Sequence, residues 1–164
     1  MRKFHKTAAA VAAAILLLGS LLFAGGQLPV ASAAQGAAKA VFDVRIGKPA
    51  IAASHLKLIH ETFRELKEAG KRPKVVVVFI GPSVKLISSN RSGFAGDELK
   101  ALDEIAKTVA AMAKDGIQLE ICMVAAGAFH VDPASVLPQI RKVPNGWISL
   151  ISYQSRGYAL VPAY

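Results

Sequence analysis

The sequence predicts an α/β protein, built as a three-layer α/β/α sandwich around a mainly parallel sheet of five strands. Three observations predict this class. Amphipathic segments with helical spacing alternate with short segments rich in Val and Ile. One short segment, KVVVVFIG at residues 74–81, has six consecutive apolar residues, which is typical of a strand covered by helices on both faces. Turns containing Gly or Pro separate many of these segments.

Residues 1–34 are predicted to be a cleaved secretory signal. Basic residues near the start precede an apolar run over residues 8–24, and small residues at 31–34 suit a signal peptidase. A retained membrane anchor is the alternative, but the run is shorter than the roughly 20 residues of a spanning helix. We therefore expect a secreted or periplasmic protein with no stable membrane association after cleavage.

Residues 35–164 are predicted to form one domain, because about 130 residues suffice for a single core. The chain has 20 basic and 11 acidic residues. Three of the basic residues lie in the signal, so 17 remain against 11 and the net charge is +6. No dense basic tract or nucleic-acid motif is present, and we expect no nucleic-acid partner.

The first strand is predicted over residues 41–46, where alternation indicates a half-exposed strand near an edge. After the Gly47-Lys48-Pro49 turn, a helix ending at Gly70 is expected. Its apolar positions recur at helical spacing: Ile51, Leu58, Ile59, Thr62, Phe63 and Leu66.

The second strand, residues 74–81, ends abruptly at Gly81-Pro82. Residues 83–96 are turn-rich and predict a functional or mobile loop, which would act as a lid if it closed over a ligand. A second helix follows from the expected N-cap Asp97 to Lys114. Its predicted buried stripe is Leu99, Leu102, Ile105, Ala106, Val109 and Met112.

The third strand is predicted over residues 117–122, with Gln118, Glu120 and Cys122 on its more polar face. A small-residue loop over residues 125–127 follows it. Asp132-Pro133 is expected to open a short helix whose positive end points towards this loop. The fourth and fifth strands are predicted over residues 147–151 and 158–161.

Cys122 is the single cysteine, so the chain cannot form an intrachain disulfide. Three roles stay open for it: a buried inert thiol, an interchain disulfide, or a thiol used in chemistry. Ligands of open α/β sheets gather at the carboxyl ends of the strands, where Cys122 lies. Four residues at that edge are the candidate neighbours in a substrate-binding pocket, with His130 also a possible proton partner: Gly81, Pro82, Asn90 and His130.

The sequence contains none of the common motifs for hydrolysis, nucleotide binding or zinc-dependent catalysis. The chain has no GxSxG, Walker A, GxGxxG or HExxH motif. His55 and His60 lie five residues apart and do not share a helical face, so no metal site is expected. Most carboxylates fall on predicted helix surfaces and are expected to face solvent.

The order of four segments resembles the DsrE/DsrF-like family: KVVVVFIGP, DELKALDEIAKTVAAMAKDGI, LEICMVAAGAFHVDPASVLP and NGWISLISYQSRGYALVP. The opening VFDVRIGKPAIAASHLKLI is similar to exported members. The resemblance covers residues 40–162. It implies a flavodoxin-like or Rossmann-like domain of DsrE type that assembles as a homo-oligomer, a trimer or hexamer. Sheet edges and the 147–158 region are expected to supply the contacts.

The resemblance also implies a role in sulfur relay, in which one cysteine carries sulfane sulfur as a persulfide. The family cysteine follows the strand after the second helix, and Cys122 holds the similar place. The expected partner is a thiol-bearing sulfur donor or acceptor protein, no cofactor is expected, and any catalysis is at most sulfurtransferase-like. The best-known relay members are cytoplasmic, whereas this chain has an export signal. The alternative is a non-enzymatic binding or assembly module with an inert thiol.

Overall fold

The computed structural model describes residues 36–164, so the predicted signal over residues 1–34 lies outside the described part. The five strands are β1 Lys39–Val44, β2 Lys74–Phe79, β3 Gln118–Cys122, β4 Arg141–Val143 and β5 Ala159–Ala163. They form one sheet in the order β4-β3-β2-β1-β5, and every pairing is parallel. The helices are α1 Pro49–Glu68, α2 Asp97–Lys114, α3 Met123–Ala128 and α4 Gly146–Ser155.

The helices cover both faces of this sheet. Helices α1 and α2 pack against each other, and α4 packs on β1, β2, β3 and β5. The chain steps from β1 to β4 in one direction and returns across the sheet to β5. Right-handed crossovers therefore place α4 on the opposite face from α1 and α2. The predicted three-layer α/β/α class is confirmed.

The core lies on both sides of the central strands. Residues 75–80 are all buried, as predicted for β2, and β1 is buried from Val41 to Val44. Side chains of α2 complete the core on one face of the sheet, where Leu102, Ile105 and Met112 are fully buried. No helix within residues 36–164 has the length and apolar character needed to cross a membrane.

Both helices form, but six positions of their predicted stripes are not buried. Thr62 is exposed, Leu66 and Ala106 are half-buried, and the other three are large apolar side chains. Ile51, Leu58 and Leu99 are 43%, 59% and 37% exposed. The face of α1 that packs inward is instead Ala52, Ala53, Leu56, Ile59 and Phe63. Its alanines are small enough for α1 to approach its neighbours closely, and hydropathy alone gave them too little weight. Gly96, not Asp97, is the N-cap residue of α2, and Asp97 is its first helical residue.

The prediction of β1 as a half-exposed strand is wrong, although β1 does lie near an edge of the sheet, next to the edge strand β5. β5 pairs with its outer side, so β1 lies inside the sheet. Asp43 is only 2% exposed. The charged residues Asp43 and Arg45 alternate with apolar residues because they form an ion pair with each other, not because they face water. Arg45 lies just beyond the end of the strand.

The predicted loop over residues 83–96 is also wrong in its first part. Gly81–Ile87 is a 3-10 helix in which Val84, Leu86 and Ile87 are buried. The Ser83 hydroxyl donates to the carbonyl oxygen of Val44 at 2.8 Å and anchors this segment to the end of β1. Only residues after Ile87 are left to form irregular structure before α2.

The region after Cys122 differs from the prediction in three ways. Residues 125–127 belong to helix α3, and Asp132 caps only the 3-10 turn Pro133–Ser135. Residues 147–151 lie in helix α4, whose N-cap Asn145 accepts a hydrogen bond from the Trp147 amide at 2.9 Å. The fourth strand is instead Arg141–Val143. In a sequence, an Asn-Gly pair is typical of a turn, but here Asn145 caps a helix and Gly146 is its first residue.

Candidate functional site

Cys122 lies at the carboxyl end of β3 and is the N-cap residue of α3. Its Sγ accepts a hydrogen bond from the Ala125 amide at 3.5 Å. The residue is 3% exposed, and its thiol is free. The end of β3 is thus joined directly to the start of α3. The sulfur therefore lies beside the backbone amides of the first helical turn, which donate hydrogen bonds to a capping side chain.

Gly146, the first residue of α4, packs directly on Cys122. A Cβ atom at this glycine would lie 2.8 Å from the Cys122 Cβ and 2.9 Å from Cδ1 of Ile80. The Val124 amide also donates to the Pro144 carbonyl oxygen at 3.3 Å. The turn over residues 143–147, which we call the closing turn, therefore covers the cysteine, and it needs glycine at its point of nearest approach.

Arg45 provides a positive charge at the same edge of the sheet. Its guanidinium pairs with the buried Asp43 carboxylate at 2.9 Å. The guanidinium carbon also lies 6.0 Å from the ring centre of Trp147 and 5.8 Å from that of Tyr164. The hydrogen bond with Asp43 is the main cause that raises the pKa of Arg45, and attraction from Cys122 is a smaller one. Arg45 is thus within range of a weak electrostatic interaction with Cys122, while most of its charge is paired with Asp43.

Glu120, two residues before Cys122, is fully buried beneath α4. Its carboxylate accepts hydrogen bonds from Tyr153 at 2.6 Å and from Gln118 at 2.8 Å. It also accepts from the Ser149 hydroxyl and pairs with the Arg141 guanidinium. Glu120 and Asp43 lie on strands, outside the helix surfaces where carboxylates are predicted to face solvent, and both are buried.

The Glu120 network changes the ionisation of its partners. Burial raises the pKa of Tyr153, and the hydrogen bond with Glu120 raises it further. The hydrogen bond with Glu120 also raises the pKa of Arg141. Tyr153 thus stays neutral and Arg141 stays charged, which keeps both groups as donors to the carboxylate.

Three cavities lie near these groups. The first has a volume of about 560 Å³ beside the Glu120 network and is lined by Gln118, Arg141, Val143, Pro144, Asn145, Ile148, Ser149, Ser152, Tyr153 and Arg156. The second, of about 570 Å³, is lined by Arg45, Ile46, Gly47, Lys48, Ile51 and Tyr164. The third, of about 120 Å³, is lined by Lys85, Ser88, Asn90, Ser92, Phe94, Phe129, His130, Val131 and Asp132.

The predicted pocket residues fall into two groups. Asn90 and His130 meet in the third cavity, whose lining does not include Cys122. Gly81 has a φ of 64°, and the Pro82 ring lies against Gly47. The grouping of all four residues with Cys122 stays a prediction.

The residues nearest to the thiol were missed by reasoning from the sequence. The sequence pattern predicts a strand directly after Gly146 and a half-exposed strand that contains Arg45, and neither pattern brings these residues to the thiol. The available signal was the period of β3, because Glu120 and Cys122 alternate onto the face that α4 covers. Within residues 36–164, no three His, Cys, Asp or Glu side chains are grouped to hold a metal ion.

Comparison with known proteins gives a family and a fold. The sequence model of the DsrE/DsrF-like family matches residues 39–162. An uncharacterized protein of Aquifex aeolicus (strain VF5) is 28% identical over 125 residues, which are 76% of this chain. The chain spans only 55% of the length of that curated relative.

Two solved structures have a similar fold. One is MTH1491, a protein of unknown function from Methanobacterium thermoautotrophicum, with a TM-score of 0.58 and 16% identity. That match covers 75% of this chain and 96% of the other. The other is the ychN protein from E. coli, with a TM-score of 0.50, 9% identity, and coverage of 77% and 99%. At these identities the likeness concerns the fold alone.

Proposed function

The chain belongs to the DsrE/DsrF-like family, and from this premise we propose that it is an exported carrier of sulfane sulfur, held as a persulfide on Cys122. The position of the sulfur is the observation that carries the proposal. Sγ lies at the carboxyl end of β3, accepts the Ala125 amide and lies within the electrostatic influence of Arg45. These features put a hydrogen-bond donor and a positive charge in the surroundings of the sulfur, whose thiolate is the form that attacks a sulfur donor.

The proposed reaction needs no cofactor. The Cys122 thiolate attacks the outer sulfur of a polysulfide or thiosulfate. One S–S bond forms at Sγ, the donor's bond to its outer sulfur breaks, and the leaving group takes the electron pair as a shorter polysulfide or as sulfite. A thiolate on an acceptor protein then attacks the outer sulfur and releases Cys122 as thiolate. The single cysteine suffices because the second thiol belongs to the partner.

The burial of Cys122 requires movement during transfer. A residue that is 3% exposed does not admit a protein thiol in this conformation. The closing turn is the element that must move, because Gly146 lies on the cysteine and Asn145 begins α4. We propose that displacement of this turn opens the sulfur to donors and acceptors.

Alkylation of the native protein tests whether the thiol is used. A small reagent such as iodoacetamide should modify Cys122 in the folded protein at a measurable rate, and a Cys122→Ser variant should take up no label. Modification only after unfolding would contradict the carrier role and support the alternative of a binding or assembly module with an inert thiol. Electrophoresis without reductant would show a covalent dimer if Cys122 instead forms an interchain disulfide.

A second copy of the chain is the proposed oligomeric partner. Several large apolar side chains are exposed on α4, on β5 and directly after β5, and exposed apolar surface of this kind favours association. They are Trp147, Ile148, Ile151, Leu160 and Tyr164. Light scattering should show an oligomer, a trimer or hexamer by family resemblance, that Ile151→Lys weakens and Leu58→Lys leaves intact. A monomer at all concentrations would contradict this part of the proposal.

Export is proposed from the first 34 residues. Expression of the full chain in a bacterial host should give a processed protein outside the cytoplasm, with its new N-terminus near residue 35. An unprocessed protein in the cytoplasm or the membrane fraction would contradict both the cleavage and the location.

A further inference from the structure

The first cavity, of about 560 Å³, lies at the β4 edge of the sheet, apart from the predicted pocket residues. Its walls come from β3, β4, the closing turn and α4. Its size is within the range of about 300–1,000 Å³ that is usual for small-molecule sites. Cys122 is not among its lining residues, so sulfur chemistry does not explain its polar walls.

Charge in this cavity is positive. Arg141 and Arg156 both line it and no carboxylate does, while Glu120, fully buried behind the wall, hydrogen-bonds to lining residues in the described part of the chain. Two cations against one anion leave a net positive site. Neutral hydrogen-bonding side chains complete the lining: Gln118, Asn145, Ser149, Ser152 and Tyr153.

Both guanidinium groups are held in place before any ligand arrives. Glu120 pairs with Arg141 from behind. The Arg156 guanidinium lies 4.3 Å from the ring centre of Tyr153, and its Nε donates to the Ser152 carbonyl oxygen at 3.1 Å. Fixed guanidinium forks lose less conformational entropy on binding, and their paired N–H groups suit two oxygens of a carboxylate, phosphate or sulfate.

We propose that this cavity binds a small oxoanion, with Arg141 and Arg156 as its charged ligands. A carboxylate carried by an organic molecule and an inorganic phosphate or sulfate share the required chemistry. The neutral donors would bind the rest of an organic ligand. This site is chemically separate from the proposed sulfur carriage, since Cys122 is not among its lining residues, although it shares Val143, Pro144 and Asn145 with the closing turn.

Titration calorimetry at constant ionic strength tests the site. The probes are succinate, citrate, phosphate and sulfate, with neutral succinamide as the control. At least one anion should bind, and succinamide should bind at least tenfold more weakly. Binding of the carboxylates alone would identify an organic ligand, and binding of phosphate or sulfate an inorganic one.

Variants separate the site from general charge effects. Arg156→Met should weaken binding at least tenfold without removing a partner of Glu120. Lys142→Met removes the same charge from a residue of β4 outside the lining and should leave binding unchanged. Cys122→Ser should also bind normally, which distinguishes this site from the sulfur carrier. Absence of binding by every anion, equal binding of succinamide, or equal effects of R156M and K142M would overturn the proposal.

Discussion

Replacement of Gly146 by Ala is expected to destabilise the protein and to open the thiol. The new methyl group would lie 2.8 Å from the Cys122 Cβ and 2.9 Å from both Cδ1 and Cγ1 of Ile80. Carbon atoms in van der Waals contact lie about 3.5–4.0 Å apart. The start of α4 or the end of β3 must therefore shift by up to roughly 1 Å to accommodate three such contacts.

The magnitude follows from overpacking. Added methyl groups in a packed core typically cost about 1–3 kcal/mol. The gain in helix propensity from Gly to Ala is at most about 1 kcal/mol in a helix interior, and we expect less at the first residue. A net loss of about 1–2 kcal/mol lowers Tm by roughly 3–10 °C for a domain of this size. Because the shift moves the closing turn, alkylation of Cys122 should also become faster.

Urea unfolding and iodoacetamide kinetics measure the two effects. Gly127→Ala is the matched control, since nothing lies within 4 Å of its added Cβ, and it should be neutral or slightly stabilising. Ile80→Val removes one of the close carbons and should recover part of the stability lost in G146A. Unchanged stability in G146A would refute the packing argument. A destabilised variant with unchanged alkylation would refute the role of the closing turn as the gate.

Three further predictions concern the charged groups. Glu120→Ala should cost about 3–5 kcal/mol in urea unfolding, because it leaves buried donors without their acceptor; a loss below 1 kcal/mol would show that the network is not stabilising. Folding raises the pKa of Tyr153 above its usual value of about 10. The contribution of Tyr153 to the free energy of unfolding is therefore complete below about pH 10 and is lost as the pH rises through the pKa in the folded protein. Tyr153→Phe should therefore lose stability less steeply than the wild type above about pH 10, and equal slopes would contradict this assignment. Arg45→Met should slow alkylation of Cys122 about two- to tenfold at low salt. Lys48→Met is the control and should have a smaller effect. Equal alkylation rates in R45M and wild type would exclude an electrostatic effect of Arg45 on Cys122.

The sequence predicts most of the sheet because its central strands have strong local signals. Residues 75–80 are apolar on both faces, and they are buried on both faces. The ends of the long helices are similarly clear, since Gly70 and Gly116 follow α1 and α2 with φ values of 72° and 89°. Glycine adopts this conformation at low cost, so it ends a helix independently of the rest of the fold.

Other elements depend on contacts that are distant in the chain. Residues 147–151 have β-branched and aromatic character typical of a strand, yet the Asn145 cap and packing against four strands make them helical. β4 has only three residues, too few for a periodic signal. Asp43 and Glu120 read as surface charges because their partners Arg45 and Arg141 become apparent only when the strands are assembled.

The candidate site, like the fold, was predictable only in part from the sequence. Cys122 could be placed at the carboxyl end of a parallel strand from the order of elements alone. Its immediate surroundings could not, because Gly146 lies on the return crossover and Arg45 follows β1, which is two strands away from β3 in the sheet. Local pattern identifies the sulfur, and only tertiary structure identifies what surrounds it.

Intact mass spectrometry after incubation with polysulfide or thiosulfate tests the central claim most directly. Sulfide serves as the control, because it is fully reduced and cannot load the thiol without an oxidant. The carrier role predicts additions of about 32 Da per sulfur atom that reductant removes, that sulfide alone does not produce, and that Cys122→Ser lacks. A Cys122 thiol that alkylates in the folded protein but gains no sulfur from either donor would contradict it.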